Sequence, residues 1–136
     1  MTRYVDSSVV LRVLFDEPDR LGEWADDKPV SSELLRVECL RVVDRARMNH
    51  GLNDAAASKL RADAIDLVAR IPLVPVSRRL LERAAEPFPT LLGTVNAIHL
   101  ATALALRDDD PDLRFASHDR ELAVAARAVG FSVSGA

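Results

Sequence analysis

Apolar residues fall along this chain in two alternating rhythms. Short apolar runs of strand length, Tyr4-Val5, Pro29-Val30, Leu73 to Val76, Leu113 to Ala116 and Phe131 to Val133, are each separated by stretches with helical spacing. The first run passes without a spacer into Asp6, and Ser7 and Ser8 offer an N-cap for a helix carrying Val9, Val10, Val13 and Leu14. Asp16 to Asp19 is a break, and Pro18 predicts a second short helix through Trp24 and Ala25. Ser31 and Ser32 are predicted caps for a helix from Glu33 to about Met48, with Leu35, Cys39, Val42, Val43 and Ala46 as its buried stripe. His50-Gly51 ends that helix, and Asn53-Asp54 opens another running to about Arg70.

The proline inside Leu73 to Val76 marks that run as an edge strand. Ser77 caps a helix from Arg78 to Glu86, Pro87-Phe88-Pro89 forces a loop, and Thr94 opens a helix from Val95 to Leu106. Asp108 to Asp112 reads as a turn, Asp119 to Ala128 as a helix, and Phe131 to Val133 as a last strand after Gly130. Strands alternating with helices predict a parallel sheet covered on both faces, an α/β chain organised as one domain over residues 1–136.

Composition narrows the class without naming a partner. The 136 residues are 49% hydrophobic and 29% charged, ordinary globular values. A net charge of −3 does not advertise a nucleic-acid binder; of the 18 basic residues only Lys28 and Lys59 are lysines. The single cysteine, Cys39, excludes an internal disulfide and lies at core spacing. No signal peptide and no run long enough to cross a bilayer is read, so the expected setting is the cytoplasm, with no membrane partner.

Four positions place an acid, or its near-isostere, at a junction or on an inner face. Asp6 ends the first strand, Glu38 lies within the apolar arc of its helix, Asn96 is in the first turn of an apolar helix, and Asp119 follows Ser117-His118 after a strand. Each has an ordinary account taken alone: a cap for Asp6 and Asp119, a first-turn polar residue for Asn96, and an ion pair with Arg41 or Arg45 for Glu38. A carboxylate on a core-facing arc is costly unless paired or bound to a metal. Oxygens converging at one edge of a parallel sheet suit Mg²⁺ or Mn²⁺, and that edge is where open α/β sheets place ligands.

The segments YVDSSVVLRVL, VSSELLRVECLRV, LGTVNAIHLATAL and FASHDRELAVAARAVG resemble the four successive motifs of PIN-domain ribonucleases, particularly the VapC-type toxins of bacterial toxin–antitoxin pairs. The resemblance runs from about Tyr4 to Phe131. It implies a three-layer α/β/α fold with a central parallel sheet, bound Mg²⁺ or Mn²⁺, and endonucleolytic hydrolysis of RNA leaving a 5′-phosphate. It also implies silencing by a cognate small DNA-binding, VapB-like antitoxin, and a homodimer. Carried over by residue, Asp6, Glu38 and Asp119 match the family's first, second and fourth acids, and Ser8 matches its Asp-x-Ser hydroxyl, with Ser117 supporting in Ser117-His118-Asp119. Asp6, Asn96 and Asp119 are the expected metal holders, with Glu38 completing the catalytic pocket.

One position departs. The third motif normally reads Asp-Ala-x-His-Leu-Ala, and here Asn96 precedes Ala97, Ile98, His99, Leu100 and Ala101. A neutral oxygen then stands where the family has an anion. Either the chain is naturally weakened, or one charge was removed to make a toxic enzyme expressible; the intact surroundings lean toward the second. The rival reading is a dead PIN domain that only binds antitoxin or RNA. A phospho-receiver domain would need a lysine near the last strands, and a dinucleotide-binding domain a glycine-rich loop after the first; neither is present.

Other polar residues receive plainer readings. His99 is expected to be a hydrogen-bonded structural histidine, His118 a solvated loop residue and His50 a helix-end residue. Asp108 to Asp112 lacks the Gly and Glu positions of an EF-hand and reads as a solvated turn. Trp24 is assigned to packing, and Arg12, Arg78 and Arg79 are open to RNA phosphates, antitoxin carboxylates or solvent.

Overall fold

The computed structural model describes residues 2–22 and 27–136. The described elements are β1 (Thr2–Val5), α1 (Ser7–Leu14), β2 (Lys28–Ser32), α2 (Leu34–Asn49), α3 (Asp54–Ala69), β3 (Leu73–Val74), α4 (Arg78–Ala85), α5 (Thr94–Asp109), β4 (Arg114–Ala116), α6 (Arg120–Ala128) and β5 (Val133–Ser134). The strands form one sheet in the order β3-β2-β1-β4-β5, every pair parallel. Strand order reverses between β1 and β4, which makes the carboxyl ends of those two strands the switch point of the sheet.

The pleat divides the core into two. Tyr4 and Phe115 face one way, packing with Leu100 and Ala103 of α5, Leu122, Ala125 and Ala126 of α6, and Phe131. Their strand neighbours Val5 and Ala116 face the other way, with Val9 and Val10 of α1, Leu35 and Cys39 of α2, and Val68 and Ile71. A period of two on each strand thus gives each layer of helices its own apolar floor, the three-layer arrangement expected. At the opposite end of the sheet, buried Arg3 and its strand neighbour Arg114 share Asp27 at 2.6 and 2.5 Å, so the buried guanidinium is paired.

Several boundaries differ from the sequence reading for local reasons. The cap of α1 is Asp6 itself, which accepts from the Val9 amide; Ser7 and Ser8 lie inside the helix. Residues Pro18 to Gly22 form turns instead of the short helix predicted there, and Trp24 and Ala25 fall outside the described residues. Ser31 and Ser32 belong to β2, because the Ser31 amide bonds to the Pro72 carbonyl and the strand lies between β1 and β3. Ser32 still accepts from the Leu34 amide at 3.2 Å, so one hydroxyl serves both elements. Gly93 caps α5, which runs on to Asp109. Phe131 precedes β5 as a buried core residue.

The remaining elements follow their signals. Gly51 takes φ +60 after α2, a conformation that favours glycine. Asn53 and Ser77 accept from the amides three residues on and cap α3 and α4. Leu35, Cys39, Val43 and Ala46 are the buried stripe of α2, with Val42 half-buried. Among the described residues, no helix is long and apolar enough to cross a membrane.

Candidate active site

The switch point gathers the acidic residues. Asp6, immediately beyond β1, is 3% exposed. Its Oδ1 accepts from Ser8 Oγ at 2.5 Å and from the Val9 amide at 3.4 Å, and its Oδ2 accepts from Ser117 Oγ at 2.8 Å. Ser117, just past β4, also accepts from the Asp119 amide at 3.0 Å, tying the two strand ends together. Asp119 caps α6 through Oδ1, which accepts from the Leu122 amide at 3.0 Å. Its Oδ2 accepts from Asn96 Nδ2, on the first turn of α5, at 3.2 Å. A cap and a site residue are therefore the same side chain twice over, at Asp6 and at Asp119.

Glu38 joins from α2. Its Oε2 accepts from Ser7 Oγ at 2.8 Å, one residue from Asp6, and its Oε1 lies 2.5 Å from His99 Nε2. Arg41 and Arg45 are not its partners among the hydrogen bonds and ion pairs of the described residues. His99 is 1% exposed, and its Nδ1 lies 2.6 Å from the Tyr4 hydroxyl. His99 is the hydrogen-bonded histidine expected, but one of its bonds leads to a site carboxylate. Sequence alone does not mark Ser7, Tyr4 or His99 as site residues; the available signal is a buried-face histidine one turn from Asn96 and a hydroxyl adjoining Asp6.

Burial sets the local electrostatics. Removal from water raises the Asp6 carboxyl above its ordinary 3.8, against the lowering pull of Ser8, His99, Ser117 and the Val9 amide. Burial likewise drives the Tyr4 hydroxyl upward, so it is a neutral phenol. Cys39 is pushed up to about 12 by burial, then by the Glu38 and Asp6 charges, and is an inert core thiol. His118 is not a simple solvated residue: its Nδ1 donates to the Gly135 carbonyl at 2.5 Å, and its amide donates to Ser8 Oγ at 2.8 Å. Arg12 pairs with Asp19 and Glu17.

The PIN domain family model matches residues 3–128. This chain belongs to the PIN-domain family. Among relatives, Ribonuclease VapC46 of Mycobacterium tuberculosis is 33% identical over 134 residues, covering 96% of this chain and 94% of that protein. Ribonuclease VapC35 of the same organism is 29% identical over 136 residues, covering 96% and 93%. A toxin–antitoxin complex from Klebsiella pneumoniae is structurally similar with a TM-score of 0.67, at 15% identity and 98% coverage of both chains, which bears on the fold alone. The PIN domain here is of the VapC type.

The donors of this PIN domain fit a hard divalent cation in kind. Asp6 and Asp119 offer carboxylate oxygens and Asn96 an amide oxygen. The hydrogen-bond donors to buried Asp6 are neutral hydroxyls and an amide, so no cationic group is bonded to it among the described residues, and a divalent ion would supply one. Among the described residues, no group of three His, Cys, Asp or Glu side chains is arranged to hold an ion. The group that Asn96 presents to Asp119 is its neutral side-chain amide, and Asp6 is joined to Asp119 through Ser117.

Proposed function

We propose that this chain is a divalent-metal-dependent endoribonuclease, the toxin of a toxin–antitoxin pair. The observation that carries this reading is the meeting of Asp6, Asn96 and Asp119 through Ser117 at the sheet's switch point, with Glu38 attached through Ser7. Asp6, Asn96 and Asp119 would hold the ion, Mg²⁺ or Mn²⁺ by their oxygen donors. When bound, such an ion supplies charge stabilisation to a phosphodiester and makes water a stronger acid.

The protein's own residues have separable tasks. Ser8 and Ser117 fix both oxygens of Asp6, so its carboxylate cannot rotate away. Asp119 is held by the α6 amide at one oxygen and by Asn96 at the other. Glu38, with its side chain 23% exposed, is placed to exchange a proton with solvent where buried Asp6 is not. The partners we propose are RNA, a VapB-like antitoxin whose segment enters this pocket, and a second copy of the chain, all in the cytoplasm. The relatives named ribonuclease support the activity, and the toxin–antitoxin neighbour adds support for the fold.

Asn96 favours a second reading, a PIN domain that binds antitoxin or RNA without cutting. Total cellular RNA incubated with the Asn96→Asp chain and Mn²⁺ or Mg²⁺ separates the two. Cleavage that chelator stops and Asp6→Asn removes, with 5′-phosphate ends, is expected. Intact RNA in every arm, with the chain still binding antitoxin, would establish the second reading.

A further inference from the structure

We infer that His99 is the positioning residue of Glu38, held in a single tautomer by Tyr4, so that Tyr4–His99–Glu38–Ser7 forms one chain from the core to the catalytic pocket. The inference rests on the reading of Glu38 as part of a nuclease site. Its geometry is fixed by three contacts: Tyr4 hydroxyl to His99 Nδ1 at 2.6 Å, His99 Nε2 to Glu38 Oε1 at 2.5 Å, and Ser7 Oγ to Glu38 Oε2 at 2.8 Å.

Donor and acceptor bookkeeping selects the protonation pattern. An ionised carboxylate only accepts, so His99 Nε2 carries the hydrogen, and in a neutral imidazole Nδ1 is then an acceptor. The buried phenol of Tyr4 keeps its proton and is the group that donates to Nδ1. Tyr4 then donates to His99, and His99 and Ser7 both donate to Glu38, so each contact has one donor and one acceptor, which is how a buried polar chain becomes rigid. The chain also bridges the two cores. Tyr4 packs in the cluster formed with α5 and α6, whereas Glu38 projects from α2, whose Leu35 and Cys39 belong to the other. Without His99, the Glu38 side chain keeps only Ser7, a partly buried hydroxyl at the start of α1, as a hydrogen-bond partner among the described residues. His99 therefore limits the rotamers of Glu38 in the way that an outer partner orients a ligating or catalytic group.

Two measurements on the full chain test this separately from the nuclease reading. Nitrogen NMR, recorded where the imidazole is neutral, is expected to show the Nε2–H tautomer, with the Nε2 signal displaced by Glu38→Gln. An Nδ1–H tautomer, or a signal indifferent to Glu38→Gln, overturns the inference whether or not RNA is cut. In the Asn96→Asp background, His99→Gln can still offer an amide N–H toward Glu38, whereas the shorter His99→Asn reaches only the Nδ1 position. We expect kcat of the Asn variant to lie about ten- to a hundredfold below that of the Gln variant, with KM alike and similar melting temperatures. Equal kcat values overturn the positioning role and leave the nuclease intact. If the Asn96→Asp parent cuts nothing, the nuclease reading fails, and the NMR arm alone decides whether Tyr4 and Glu38 fix the His99 tautomer.

Discussion

Asn96 donates its side-chain amide to Asp119 Oδ2 at 3.2 Å, so the amide on the first turn of α5 is hydrogen-bonded to the acid that caps α6. An aspartate at position 96 would lose that donor and set a second carboxylate against Asp119. In chelator, Asn96→Asp should therefore melt lower than the chain as it stands, by about 1–2 kcal/mol at the transition. Added Mg²⁺ should narrow or invert the gap, because binding to the folded state stabilises it by mass action. Thermal melts of both proteins, with chelator and with metal, read this directly. A higher melting temperature for the aspartate form in chelator would mean that residue 96 does not face an acid.

Asp6 makes a prediction about pH. Its carboxyl is raised above 3.8 by burial, so between the unfolded and folded pKa values the folded state binds more protons than the unfolded chain. Its contribution to stability is therefore best below the unfolded value and is lost as pH climbs through the folded one. Above that window the buried anion is a standing cost. Without metal at neutral pH, Asp6→Asn should be more stable by about 1 kcal/mol, roughly 3–5 °C for a domain of this size. The advantage should vanish in acid, below the unfolded value, where Asp6 is protonated. Melting temperatures of the two proteins across that range decide the point, and a constant gap at every pH would contradict the assignment.

Tyr4→Phe removes one oxygen and nothing from the apolar floor that Tyr4 shares with Phe115, whose ring stacks on it at 5.2 Å. What it does remove is the donor to His99 Nδ1, leaving a buried nitrogen without a partner. The expected loss is about 1–2 kcal/mol in urea-midpoint measurements, with an unchanged m-value. A neutral substitution would show that Nδ1 is satisfied elsewhere.

The fold was largely legible because its signals are local. Tyr4-Val5 running straight into Asp6, and Phe115-Ala116 running into Ser117, show the strand-to-turn junctions in a few residues each, and the order of elements then implies a parallel sheet. Boundaries failed where one residue type serves two purposes. Ser31 and Ser32 look like caps, yet pairing with Leu73 and Val74 of β3 makes them strand residues, a tertiary fact no window of sequence contains.

The site was legible as positions and not as connections. Asp6, Glu38, Asn96 and Asp119 stood out as acids or an amide at junctions and inner faces, and the family's motifs ordered them. The partner of Glu38 does not stand out, because Arg41 and Arg45 lie about one and two helical turns away in sequence, while the actual partner is His99, 61 positions on. Ser7 reads only as a cap in the sequence, since its bond to Glu38 spans 31 positions. Long-range hydrogen bonds leave no periodic trace in a sequence.

The charge at position 96 should also set the rate of cleavage. Asparagine and aspartate share a shape, so packing around α5 is nearly unchanged and a difference in activity reports charge. A carboxylate holds a divalent cation better than a neutral amide oxygen. Restoring it should raise metal-dependent RNA cleavage by about a hundredfold, close to 3 kcal/mol of transition-state stabilisation. Asp6→Asn in the same background should abolish the gain, because Asp6 is the carboxylate that Ser8 and Ser117 hold in place. The test is initial rates on total cellular RNA with Mn²⁺ and with Mg²⁺, each against a chelator control, for the chain, Asn96→Asp, and Asn96→Asp with Asp6→Asn. Equal rates for the first two would show that residue 96 does not hold the ion. Survival of the gain without the Asp6 carboxylate would move the catalytic centre away from the switch point between β1 and β4.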